Sequence, residues 1–213
     1  MKVNAVAESG IVISNAANGT YSYTAATTTA QQQLKPASTA NFTTWYHSTS
    51  NDPANALNIG GVAQAYEEIN ATNHYEISEY RVMYSFFIRS SSPTALSSTK
   101  LKINSVTAER SAGDQDLSKA LRVGVLIEGD TNPYIYAPVT GFTATYSVQG
   151  TTSVTAKASN VVTESTVQNI PANSANGLEC QIFVWFEGED ASCKSSNLVA
   201  SLETLTVQVE FGY

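Results

Sequence analysis

Apolar and polar side chains alternate along much of the chain, most cleanly where Leu205, Val207, Val209 and Phe211 interleave with Thr204, Thr206, Gln208 and Glu210. A period of two sends one set to a core face and the other to solvent, so this segment predicts a half-buried strand. Comparable runs predict strands over Lys100–Ala108, Leu121–Ile127, Phe142–Val148 and Cys180–Glu187. Between Tyr80 and Arg89 both faces are apolar, with Val82, Tyr84, Phe86 and Ile88 on one and Met83 and Phe87 on the other. That pattern predicts a strand buried on both sides in the middle of the protein.

Turn chemistry separates the runs, at Ser91-Ser92-Pro93, Glu128 to Pro133, Gln149-Gly150 and Ala175-Asn176-Gly177. The strands recur without a βαβ rhythm, as in a sandwich or barrel. Short helices are expected at Asp114–Leu121 and Cys193–Ser201, and Ala56–Glu68 reads as helix or loop. The expected fold is all-β: a two-sheet antiparallel jelly-roll sandwich with short helices, its single domain running over 14–213. Residues 14–58 lack the apolar content for a core of their own and are expected to supply loops and edge strands.

Residues 1–13 stand apart. Val3, Ala5 and Ala7, then Ile11 and Ile13, form an apolar alternating segment interrupted by Ser9-Gly10. One reading makes it the first strand of the same sandwich, paired within its own subunit. The other makes it a donor strand inserted into a neighbour, with Val3, Val6, Ile11 and Ile13 as subunit-interface anchors.

Composition narrows the function classes. Eleven Lys and Arg against 18 Asp and Glu give a net charge of −7, and only 14% of residues are charged, against about 25% in an ordinary domain. Neutral polar residues fill the difference, with 25 Ser, 24 Thr and 16 Asn. A pI near 4.8 argues against a nucleic-acid partner, and no apolar run is long enough to insert in a membrane as a helix. The amino terminus lacks the apolar stretch of a secretory signal. The Ser/Thr/Asn-rich composition nevertheless suits an extracellular or cell-surface protein, which makes a mature chain with its leader removed the expectation. Cys180 and Cys193, the two cysteines, are compatible with a disulfide in an oxidising compartment, reduced thiols being the alternative.

Catalytic patterns are not found. His47 and His74 lack the spacing of a zinc protease, Cys180 opens an alternating strand, and no nucleophile elbow, phosphate loop or dinucleotide glycine pattern occurs. A non-enzymatic role is expected. Calcium is the candidate cofactor, because Glu187, Glu189 and Asp190 place three hard oxygen ligands around Gly188. Glu128-Gly129-Asp130 is a second acidic turn. Trp45, Tyr46, Tyr134 and Tyr136 could form a sugar-stacking platform or could pack in the core.

The run Ile182-Phe183-Val184-Trp185-Phe186-Glu187-Gly188-Glu189-Asp190-Ala191-Ser192-Cys193, with Ala120 to Val125 and the final strand Leu205 to Phe211, resembles exported bacterial proteins of the TasA/camelysin-like group. The resemblance covers Tyr80 to Phe211 and rests on an aromatic strand entering an E-G-x-D-x-x-C turn after an earlier A-L-R-V strand. It implies a secreted jelly-roll subunit of biofilm-matrix fibres, surface filaments or a surface layer, whose partner is a second copy of itself and which in some relatives is polymerised by amino-terminal donor strands. A peptidase activity is not implied, since the chain has no H-E-x-x-H. Two other expectations stand beside the filament subunit: a calcium-dependent ligand- or glycan-binding surface module, and a virion structural protein.

Overall fold

Residues 1–29, 33–48, 66–110, 119–149, 152–190, 193 and 202–213 are described by a computed structural model. The strands, in chain order, are β1 (Lys2–Ala7), β2 (Ile11–Ser14), β3 (Thr24–Thr28), β4 (Tyr46–Ser48), β5 (Tyr66–Glu68), β6 (Arg81–Ser90), β7 (Leu96–Ser97), β8 (Lys102–Arg110), β9 (Leu121–Ile127), β10 (Tyr134–Ala137), β11 (Thr145–Val148), β12 (Thr152–Thr155), β13 (Lys157–Ala158), β14 (Thr163–Glu164), β15 (Asn169–Ile170), β16 (Leu178–Phe186) and β17 (Leu205–Gly212). Helical structure among the described residues is confined to single 3-10 turns at Ala71–Asn73, Ile77–Glu79 and Leu202–Thr204. All but Cys193 of the helix expected over Cys193–Ser201 and most of that over Asp114–Leu121 lie outside the described residues, but Leu121 opens β9. Of Ala56–Glu68, Tyr66–Glu68 is strand and the rest is likewise outside them.

Two main sheets form. One has the order β14-β8-β17-β1-β3 and the other β13-β10-β9-β16-β6-β2. They share a core: Val3, Ala5, Val207, Val209 and Phe211 from the first meet Ile11, Ile13, Phe86, Val123, Val125, Ile182 and Val184 from the second. The molecule is mostly β and built as a sandwich. The antiparallel expectation needs correcting at two pairs, because β1 runs parallel to β17 and β10 parallel to β13. Parallel neighbours need a long crossover, and for β1 and β17 the rest of the domain supplies it.

The six-stranded sheet also carries a second, aromatic core on its outer face, made by Phe42, Trp45, Ile69, Tyr80, Ile135, Phe183 and Trp185. Strand β16 therefore buries both of its faces: Ile182 and Val184 point one way and Phe183 and Trp185 the other. β6, expected to be buried on both sides, is less enclosed, and its Met83 is 41% exposed. It lies beside the edge strand β2.

Phe42 explains the glycine in β9. Its ring stacks on Phe183 at 4.7 Å and meets Trp185 edge-on at 5.9 Å. A Cβ on Gly124 would collide with the tip of that ring. Removing the side chain from the middle of an apolar strand lets the 34–48 loop pack directly on the sheet.

Candidate functional site

Two features carry the candidate chemistry: the strand β1 with its connection to β2, and the acidic turn after β16.

β1 is an interior strand. Its backbone pairs with β17 in the register Val3↔Val207, Ala5↔Val209 and Ala7↔Phe211, and with β3 in the register Val3↔Thr27 and Ala5↔Ala25. Val3 and Ala5 are fully buried and Ala7 nearly so. Burying Val3 contributes roughly 1.5–3 kcal/mol. Of the four residues expected as subunit anchors, Val3, Ile11 and Ile13 pack in the chain's own core, while Val6 is half-exposed on the outer face. The segment 1–13 thus supplies one interior strand, β1, and one edge strand, β2.

β1 joins β2 through Glu8-Ser9-Gly10. Gly10 has φ +106°, a region that glycine enters without strain. A Cβ there would also run into the Tyr213 ring. Glu8 latches this connection to the end of β17: its N–H donates to the Phe211 carbonyl at 3.0 Å, and its carboxylate accepts from the Tyr213 N–H at 3.0 Å and Asn104 Nδ2 at 3.2 Å.

The acidic turn gathers its three carboxylates but commits each to a protein donor. Asp190 accepts Arg122 Nη2 at 2.6 Å and the Thr143 N–H at 2.9 Å. Glu187 accepts Trp185 Nε1 at 3.1 Å and the Glu189 N–H at 3.1 Å. Glu189 bonds the Tyr66 hydroxyl. Glu187 is fully buried, and desolvation pushes its carboxyl up to about 7 despite these donors and the nearby Arg122 charge. Desolvation also raises Glu189, more than the Tyr66 bond lowers it.

No group of three His, Cys, Asp or Glu side chains among the described residues is arranged to hold a metal ion. At the second turn, Asp130 is likewise engaged, accepting from the Tyr134 hydroxyl at 2.6 Å and the Asn132 and Thr166 N–H groups. Both turns are therefore tied into the fold as capped loop ends.

Arg122 is the residue that sequence reasoning missed. Its guanidinium is sealed in the protein, donating to the carbonyls of Lys119, Leu121 and Thr143 as well as to Asp190. The available signal was a lone cation inside the apolar run Leu121–Ile127, which must find an anion if buried.

Cys180 and Cys193 are free, buried thiols, so the expected disulfide is corrected. The reason is strand length. Cys180 lies near the start of β16 and Cys193 follows the turn at its other end, with its N–H on the Asp190 carbonyl. Six extended residues separate the strand positions by about 20 Å, whereas a disulfide needs Cα atoms within roughly 7 Å.

The aromatic platform is not assembled either. Tyr134 and Tyr136 belong to the central core and Trp45 to the outer aromatic core on the opposite face of the same sheet. Among the described residues no helix is long and apolar enough to cross a membrane. No family model, curated protein or solved structure matches the chain.

Proposed function

We propose that the protein is a structural subunit of an extracellular or cell-surface filament, matrix fibre or layer, assembled from copies of itself by exchange of β1. The observation that carries this reading is the position of β1: an interior strand, paired on both edges, joined to β2 by a three-residue connection. Withdrawing it would open a slot between β17 and β3 lined by Val207, Val209 and Phe211. The same strand from a second copy restores each bond and contact that its own strand made, which is the thermodynamic basis of strand exchange.

On this reading the sandwich is of jelly-roll type. Supporting that, the chain changes sheets from β1 to β2, β2 to β3, β8 to β9 and β16 to β17. The low charge and Ser/Thr/Asn-rich surface suit close packing outside the cell, and the resemblance to TasA/camelysin-like proteins points the same way. Negative-stain microscopy of the purified protein over time tests the proposal. Deleting Met1 to Ser9 is expected to abolish ordered assembly, and fibres formed by the truncated chain would overturn it.

A further inference from the structure

Among the described residues the five-stranded sheet ends at β3, and the backbone there is in a state that invites another strand. Met1 and Thr29 exchange hydrogen bonds, Met1 N to Thr29 O at 3.3 Å and Thr29 N to Met1 O at 3.0 Å, while the Ala7 N–H reaches the Tyr23 carbonyl at 2.8 Å. Antiparallel pairing alternates, so positions 25 and 27 also face β1, and the N–H and C=O groups of Thr24, Ala26 and Thr28 face away from it. Those three residues are exposed.

Natural edges are usually blunted by charge, proline or a bulge. Here residues 9–34 contain no charged side chain in a chain of net charge −7, and the β1–β3 register is uninterrupted. One guard is present: Asn15 Nδ2 donates to the Ala26 carbonyl at 3.1 Å.

We infer that the free edge of β3 is a docking site for β3 of a second copy, which pairs antiparallel about a two-fold axis through Ala26. The strand sequence Thr24-Ala25-Ala26-Thr27-Thr28 fits itself in this register. Ala26 meets Ala26 of the second copy, Thr24 meets its Thr28, and the outward groups of all three positions fall into hydrogen-bonded pairs. Thr opposite Thr is a favourable cross-strand pair. The absence of charge removes the repulsion that two acidic copies meet elsewhere, and it offers a charged foreign strand no counter-charge. The result is a closed two-fold contact that extends the sheet across both copies, with Asn15 swung off the Ala26 carbonyl. This contact is independent of β1 exchange.

The test uses the full chain with β1 locked in place. Asn4 and Gln208 face each other on the outer side of β1 and β17, so Asn4→Cys with Gln208→Cys, oxidised at high dilution, ties β1 to its own subunit without altering β3. Sedimentation of this locked protein is expected to show reversible dimerisation. Adding Ala26→Pro, which removes an N–H pointing out of the sheet, weakens it by at least about tenfold, whereas Asn15→Ala strengthens it. Amide exchange at Thr28 and Ala26 should slow as concentration rises, with Ala25 and Thr27 unchanged, which reports the edge without any substitution in it.

A locked protein that stays monomeric at every concentration, with and without Asn15→Ala, would overturn the inference. So would dimerisation insensitive to Ala26→Pro with flat exchange at Ala26 and Thr28. Neither outcome bears on β1 exchange, which the lock removes from the experiment.

Discussion

Arg122 and Asp190, 68 positions apart, meet at 2.6 Å with both side chains shut off from solvent. The pair fastens the turn after β16 to the start of β9, and Arg122 also lies 5.6 Å from the Phe142 ring and 5.8 Å from Tyr146. Removing one partner strands a charge in the interior. Asp190→Ala is expected to cost about 3–5 kcal/mol in urea unfolding. Arg122→Met combined with Asp190→Leu should cost distinctly less than the sum of the single changes, since neither charge is then left unpaired. Additive losses would show that the pair does not act as a unit.

Glu187 gives stability a pH dependence of defined sign. Burial holds its folded carboxyl at about 7, whereas an ordinary glutamate titrates at about 4.5, so between these values the folded chain binds the extra proton. Stability from this group is therefore present at low pH and declines as pH rises through the window, levelling off above it. Glu187→Gln, which cannot ionise, should gain on the parent by roughly 3 kcal/mol between pH 4.5 and 8. Urea midpoints of both proteins at the two pH values check this, and a constant difference would contradict it.

Gly124 and Phe42 make a size-matched contact. Gly124→Ala is expected to destabilise by about 1–3 kcal/mol, the usual cost of overpacking. Phe42→Leu in the same chain should recover part of that loss, because it withdraws the ring tip that a Cβ would strike. Thermal unfolding of the two singles and the double reads the coupling.

The two thiols should be silent in the folded protein. Burial pushes Cys193 up to about 12 and Cys180 further, and only the thiolate reacts. Alkylation at pH 8 is expected to be slow without denaturant and to label both residues in its presence. An intact mass 2 Da lower, restored by reductant, would instead reveal the bond that the strand geometry opposes.

Period-two alternation located the long strands closely. Leu121–Ile127 matches β9 and the Cys180 and Leu205 runs match β16 and β17 to within a residue or two, because one buried face imposes the pattern directly. Partners were not legible. Nothing in a period of two tells Val3 to lie parallel to Val207, or says that Arg122 and Asp190 share a pocket, since those facts depend on how distant strands are ordered. Tyr134 and Trp45 looked like one aromatic group because composition carries no information about which face of a sheet a side chain takes. The paired cysteines misled for a similar reason. Thirteen positions is short for a loop, yet seven of them from Cys180 onward belong to one extended strand.

The direct test of the assembly account is the Asn4→Cys, Gln208→Cys lock applied to filament growth. These residues oppose each other across β1 and β17, so closing the bond in dilute monomers prevents β1 from leaving without touching its buried face. Electron microscopy after concentration should show no filaments from the oxidised protein and ordered filaments once reductant is added. Filaments of equal number and length in both samples would contradict the exchange of β1.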